Sequence, residues 1–139
     1  MNDQTMIATW TEGMRFVHRS ASGHAVVTDA PVDKGGGGTA PSPMELVILG
    51  LIGCTGVDVV SILQKMRQPL ESCDVEAVSE RAEEHPRVYT RIRVTYTLRG
   101  DLDPKKVRRA VELSEKTFCS VSAMLRGTTE ITSAIRINP

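Results

Sequence analysis

Three cysteines, Cys54, Cys73 and Cys119, are the side chains of this sequence best suited to chemistry at neutral pH. The thiolate form of cysteine is the nucleophile, the metal ligand and the starting point of reversible oxidation. Cys54 lies about three turns inside a helix that starts at Pro43, where the macrodipole has faded, so only an outside cation can hold it as a thiolate. Cys119 precedes the start of a short helix, a setting that favours thiolate. Cys73 falls in phase with Val75 and Ala77 on the apolar face of a strand, where a free thiol behaves as a small hydrophobe. Spacing alone leaves Cys54 and Cys119 open to two readings, reactive thiols or buried inert ones. His24, set beside Cys54, offers a base or a ligand. With no H-x-x-x-H or C-x-x-C spacing anywhere, however, no metal site and no cofactor are expected. His18 and His85 read as strand and turn surface.

The element that must carry Cys54 begins at Ser42-Pro-Met-Glu45. Ser42 is an N-cap, Pro43 suits the first helical position, and Glu45 completes a capping box. Nothing interrupts the pattern before Gln68-Pro69, which predicts a helix of roughly 25 residues, about 37 Å long. Leu46 to Ile52 is apolar on every face, so this part must be surrounded, and Gly50, Gly53 and Gly56 allow another backbone to come close. The run from Leu46 to Leu63 has the length of a membrane span, but Asp58 inside it, the lack of aromatic flanks and the lack of a second span argue for a central helix in a protein with no membrane partner.

Ahead of this helix, Met6–Trp10, Met14–Arg19 and His24–Thr28 read as an antiparallel meander. The segment from Asp29 to Ala40 reads as a surface loop, its glycines clearing a neighbouring chain or a pocket. Gly35-Gly-Gly-Gly38 is followed by Thr39-Ala40-Pro41 rather than by the lysine and hydroxyl residue of a phosphate-binding loop. Beyond the helix, Cys73–Glu80 pairs with Arg87–Arg99. Val88, Thr90, Ile92, Val94, Tyr96 and Leu98 are expected on the apolar face, and the arginines opposite cross-strand glutamates. Asp103-Pro104 starts an amphipathic helix with Val107, Ala110 or Val111, Ser114 and Phe118 on one face. Ser120-Val-Ser122 offers a cap for a short helix, and Thr129–Ile137 alternates as a last strand.

A chain of 139 residues is long enough for one domain with a real core, read as a single domain over 1–139. Strands and a loop occupy 1–41, the central helix 42–68, and further strands and helices 69–139. Seventeen basic and seventeen acidic residues cancel, which implies no nucleic-acid partner and weakly favours self-association. The odd cysteine count and the absence of a leader pattern lead us to expect a reducing, cytoplasmic location.

Two stretches carry a resemblance. Ser42-Pro-Met-Glu-Leu with Gly50 and Gly53-Cys54, and then Ser114-Glu-Lys-Thr-Phe-Cys119-Ser-Val, resemble the paired cysteine motifs of the OsmC/Ohr family of thiol peroxidases. Trp10-Thr-Glu-Gly13, Ser20-Ala-Ser-Gly-His24, Ala40–Glu45 and Val59–Lys65 resemble its YhfA-type branch. The likeness covers nearly the whole chain.

The resemblance implies an α+β, OsmC-like fold with antiparallel sheets around a long central helix, in an intertwined homodimer. It implies a peroxiredoxin-like enzyme of the oxidative stress response, reducing organic hydroperoxides. Cys54 would be the peroxidatic thiolate and Cys119 the resolving thiol, with an external dithiol, lipoamide-like or thioredoxin-like, as reductant. Arg15 or Arg19 would stabilise the thiolate. Glu45 is one residue beyond the family's glutamate position, where this chain has Met44, so it is either part of that apparatus or only half of a capping box. The alternative implied by the same fold is a non-catalytic dimer that binds a small hydrophobic ligand or senses oxidants.

Overall fold

The computed structural model of the protein describes residues 4–139. It is α+β, and its backbone groups into two compact units that divide between Val47 and Ile48, inside the long helix. In the first unit β1 (Ile7–Glu12), β2 (Arg15–Arg19) and β3 (Ala25–Thr28) form the expected antiparallel meander in the order β1-β2-β3.

The glycine-rich segment is not the open loop its composition suggests. It winds around Asp29, a buried residue whose carboxylate accepts from the backbone amides of Ala30 (2.8 Å), Gly37 (3.4 Å) and Thr39 (3.1 Å) and from the Thr39 hydroxyl (2.6 Å). These bonds, the Thr39 hydroxyl foremost, hold the Asp29 carboxyl down at about 2. Gly36 lies so close to the backbone of Ala30 that a β-carbon has no room there. Gly36 and Gly37 thus serve close folding around this carboxylate.

The long helix, α1 (Pro43–Lys65), starts as predicted, with reciprocal bonds between Ser42 and Glu45 (3.2 and 3.3 Å). It stops three residues before Gln68. Arg67 takes a left-handed conformation (φ 56°), and its amide bonds Gln64 (3.0 Å) while that of Gln68 bonds Leu63 (2.9 Å), which closes the last turn before Pro69.

In the second unit β4 (Leu70–Arg81) and β5 (Tyr89–Gly100) are antiparallel, and β6 (Glu130–Ile137) lies beside β5 in the order β4-β5-β6. The β6 strand runs parallel to β5, so the expectation of purely antiparallel sheets is corrected at this strand. Between them come α2 (Pro104–Leu113), a π-helical turn (Ser114–Phe118) and α3 (Ser120–Leu125). A connection of this length is what a parallel pair requires.

The core of this unit is Ile92, Val94, Tyr96 and Leu98 of β5, Val107, Ala110 and Val111 of α2, and Leu51, Thr55, Val59 and Leu63 of α1. The α1 residues recur every four positions and form a single buried stripe. Three expected positions are corrected. Thr90 is an extra residue at a bulge where Glu80 faces Arg91 and Arg81 faces Tyr89, so Tyr89 is buried while Val88 and Thr90 are exposed. The π-helical turn adds a residue to α2's period and rotates Phe118 to 55% exposure. Of the arginines expected to face cross-strand glutamates, Arg91 alone meets carboxylates among the described residues, Glu80 at 3.9 Å and Glu130 at 3.3 Å.

By length and composition α1 could cross a membrane. Within the second unit one face of it is committed to the core, while Leu49 and Val57 on another face are 49% and 69% exposed. Among the described residues nothing lies within 4 Å of where a β-carbon of Gly50 or Gly53 would be, and an apolar groove of about 630 Å3 runs along this face beside Cys73 and Val75 of β4.

Candidate active site

Cys119 is placed by the π-helical turn. Its amide bonds Ser114 O (2.8 Å), its backbone then becomes extended, and its sulfur caps α3 by accepting from the Ser122 amide (3.4 Å). The cap expected at Ser120–Ser122 is therefore the cysteine itself. Its side chain is 3% exposed. Burial pushes the Cys119 thiol up, against the lowering by its bonds to Ser122, so the residue rests as a thiol and not as the thiolate that its helix-start position suggested.

Cys54 projects from α1 toward this turn. Its sulfur, the sulfur of Cys119 and a carboxylate oxygen of Asp58 all lie within 4.8 Å of one another. Cys54 and Asp58 are four apart and share a helix face. Asp58 is held by the hydroxyl of the fully buried Ser114, which donates to it over 3.0 Å. A small cleft of about 240 Å3 opens beside Asp58, lined also by Ser61, Ile62, Lys65 and Phe118.

Tyr96 lies under the turn. Its hydroxyl donates to Glu115 (3.1 Å), which also accepts from Ser133 (3.3 Å). Burial foremost, with the Glu115 charge adding, keeps the Tyr96 hydroxyl protonated far above its ordinary range. Among the described residues no ion pair involves Asp58 or Glu115. Near the two sulfurs stand the carboxylates of Asp58 and Glu115, with Lys65 lining the cleft beside Asp58.

The other expected site residues belong to the first unit. Arg15 donates to Glu12 (3.0 Å) and to the Thr39 hydroxyl (3.2 Å), and Thr39 is itself held by Asp29. Arg19 is exposed and makes no side-chain hydrogen bond or ion pair among the described residues; it lines a cavity with His18, Val26 and Leu46. Glu45 is engaged in the capping box. His24 bonds Ser22 in a turn and His18 bonds Thr28, and neither belongs to the cysteine cluster.

Sequence reasoning missed Asp58, Ser114, Tyr96 and Glu115 as neighbours of the thiols. Asp58 had a readable signal, being the one charge in the apolar run and four residues from Cys54. The other three are brought in by tertiary packing.

The family described as OsmC-like protein matches residues 35–134. The protein YhfA of Escherichia coli K12 is 44% identical over 129 residues, 92% of this chain and 93% of its own length. The chain belongs to the OsmC-like family. Its fold agrees with that of a putative osmotic stress induced and detoxification response protein from Psychrobacter arcticus (TM-score 0.86, 22% identity, 98% of each chain). It also agrees with that of an organic hydroperoxide resistance protein from Elizabethkingia anophelis (TM-score 0.76, 15% identity, 99% of this chain and 98% of that one). Within an OsmC-like chain, then, the sulfurs of Cys54 and Cys119, separated by 65 positions in sequence, lie within 4.8 Å of each other.

Proposed function

We propose that this OsmC-like protein reduces organic hydroperoxides through Cys54 and Cys119. The observation that carries the reading is the approach of the two sulfurs to within 4.8 Å, one on a rigid helix and the other at a π-helical turn. The Cys54 thiolate attacks the distal peroxide oxygen, the O–O bond breaks, and an alcohol leaves with a proton from solvent, so the sulfur becomes a sulfenic acid. The Cys119 thiol condenses with it, forming a disulfide and water. An external dithiol returns both cysteines to thiols while becoming a disulfide. That the Elizabethkingia anophelis protein of the same fold is named for organic hydroperoxide resistance supports the choice of oxidant.

A mid-helix thiol needs a cation to be reactive, and Arg15 is the better held of the two candidates, because Thr39 and Glu12 hold its guanidinium while Arg19 makes no side-chain hydrogen bond or ion pair among the described residues. Glu45 acts as a helix cap and not in the chemistry. The protein works as a homodimer, a reading supported by the apolar groove along Gly53 and Val57 and by exposed Ile7 and Trp10 of the first unit. The test is consumption of cumene hydroperoxide with dihydrolipoamide or reduced thioredoxin as electron donor. Turnover should vanish in Cys54→Ser and fall at least about tenfold in Arg15→Met, a loss of roughly 1.4 kcal/mol of transition-state stabilisation, with Arg19→Met close to wild type. Equal turnover in Cys54→Ser and wild type contradicts the reading.

A further inference from the structure

We propose that the reduced protein binds one thiophilic divalent cation, of the Zn2+ class, through Cys54 Sγ, Cys119 Sγ and a carboxylate oxygen of Asp58. The three donors converge from α1 and the π-helical turn to within 4.8 Å of one another. A tetrahedral zinc centre, with Zn–S near 2.3 Å and Zn–O near 2.0–2.2 Å, places its ligand atoms about 3.5–3.8 Å apart. The set therefore needs a contraction of about 1.3 Å at most. Two sulfurs and a carboxylate are a zinc-like donor set, and three protein ligands leave the fourth position for water.

Two further features fit a cation. Asp58 receives the Ser114 hydroxyl at one oxygen, the kind of outer contact that orients a ligating carboxylate, and its other oxygen carries no hydrogen bond among the described residues. No lysine or arginine among the described residues pairs with Asp58 or with neighbouring Glu115. The cleft lined by Asp58, Ser61 and Lys65 brings solvent to the Asp58 carboxylate. On binding, the two thiols lose their protons to solvent and the cation takes their place. No electron moves. A disulfide between the same sulfurs removes two of the three donors, so metal binding and oxidation exclude each other. Spacing rules do not reveal the site because Cys119 is remote in sequence from the helical pair Cys54 and Asp58.

The inference requires only reduced thiols and stands apart from the peroxidase reading. Metal-free, fully reduced protein is titrated anaerobically with Co2+ and then Zn2+, without peroxide. The expected result is one equivalent of Co2+ per chain with thiolate-to-cobalt charge-transfer and tetrahedral ligand-field absorption, both lost on adding Zn2+. In the wild type, Zn2+ should slow alkylation of Cys54 and Cys119 at least tenfold and leave Cys73 unaffected, a readout that needs no variant to fold. Asp58→Asn should weaken binding by at least the roughly tenfold that losing even an outer-shell partner costs, and Cys73→Ser should bind as wild type. Absence of the charge-transfer band with all thiols reduced, unprotected Cys54 and Cys119, or equal affinity in Asp58→Asn would each overturn the site.

Discussion

At the scale of single residues, the side chains that matter most are those whose environment opposes their sequence context. Cys119 stands at a helix start yet is pushed toward the thiol by burial, so the resolving role proposed for it rests on proximity to Cys54 and not on its own acidity. Asp29 shows the opposite shift. Its carboxyl is held at about 2, below the ordinary value near 3.9. A group with a lowered folded pKa contributes stability at pH above its unfolded value and loses it as pH falls toward the folded one. The thermal midpoint of the wild type should therefore fall between about pH 4 and pH 2, and in Asp29→Asn the midpoint should be lower at neutral pH and less steep across that window. Identical acid slopes in the two proteins would show that Asp29 carries no such linkage. Neither environment was legible in the sequence. Asp29 is recognised by amides up to ten residues away, which leave no signature in residue type, and the burial of Cys119 comes from its placement by the π-helical turn.

At the scale of elements, the start of α1 was readable because a capping box is local, whereas its end depended on Arg67 adopting a left-handed turn. The alternation of Ile92, Val94, Tyr96 and Leu98 was readable as a strand face. The bulge at Thr90 was not, because a bulge is a relation between two strands and not a pattern in one. The π-helical turn likewise breaks α2's period without any glycine or proline to announce it. This turn is tied to α1 through the bond from Ser114 to Asp58. Ser114→Ala should cost about 1–3 kcal/mol, as for a buried hydrogen bond to a charged group, read from the urea midpoint at unchanged slope. A midpoint equal to that of the wild type would mean that the tie contributes nothing. Leu63→Ala, deleting a fully buried side chain of the α1 stripe, should cost about 2–5 kcal/mol in the same measurement.

At the scale of the whole molecule, the three-stranded meander could be read from periodicity and the α+β class from the family resemblance, while the direction of β6 could not be read from either, since alternation says nothing about parallel or antiparallel pairing. The long connection from Gly100 to Glu130 was the available clue. The all-apolar start of α1 called for a helix surrounded on every side, yet in the single chain Leu49 and Val57 remain exposed along an apolar groove. If that groove is the homodimer interface, sedimentation should give twice the 15.2 kDa chain mass for the wild type, and Val57→Glu should shift it toward the monomer. A monomeric wild type would exclude the dimer. The central claim is that Cys54 and Cys119 act as one redox unit. Its most direct test is to add a slight excess of cumene hydroperoxide to reduced, metal-free protein and map thiols over time by mass spectrometry. A rapid Cys54–Cys119 disulfide is expected, absent in Cys54→Ser and unchanged in Cys73→Ser. Both thiols remaining reduced, under conditions that oxidise a known thiol peroxidase, would contradict it.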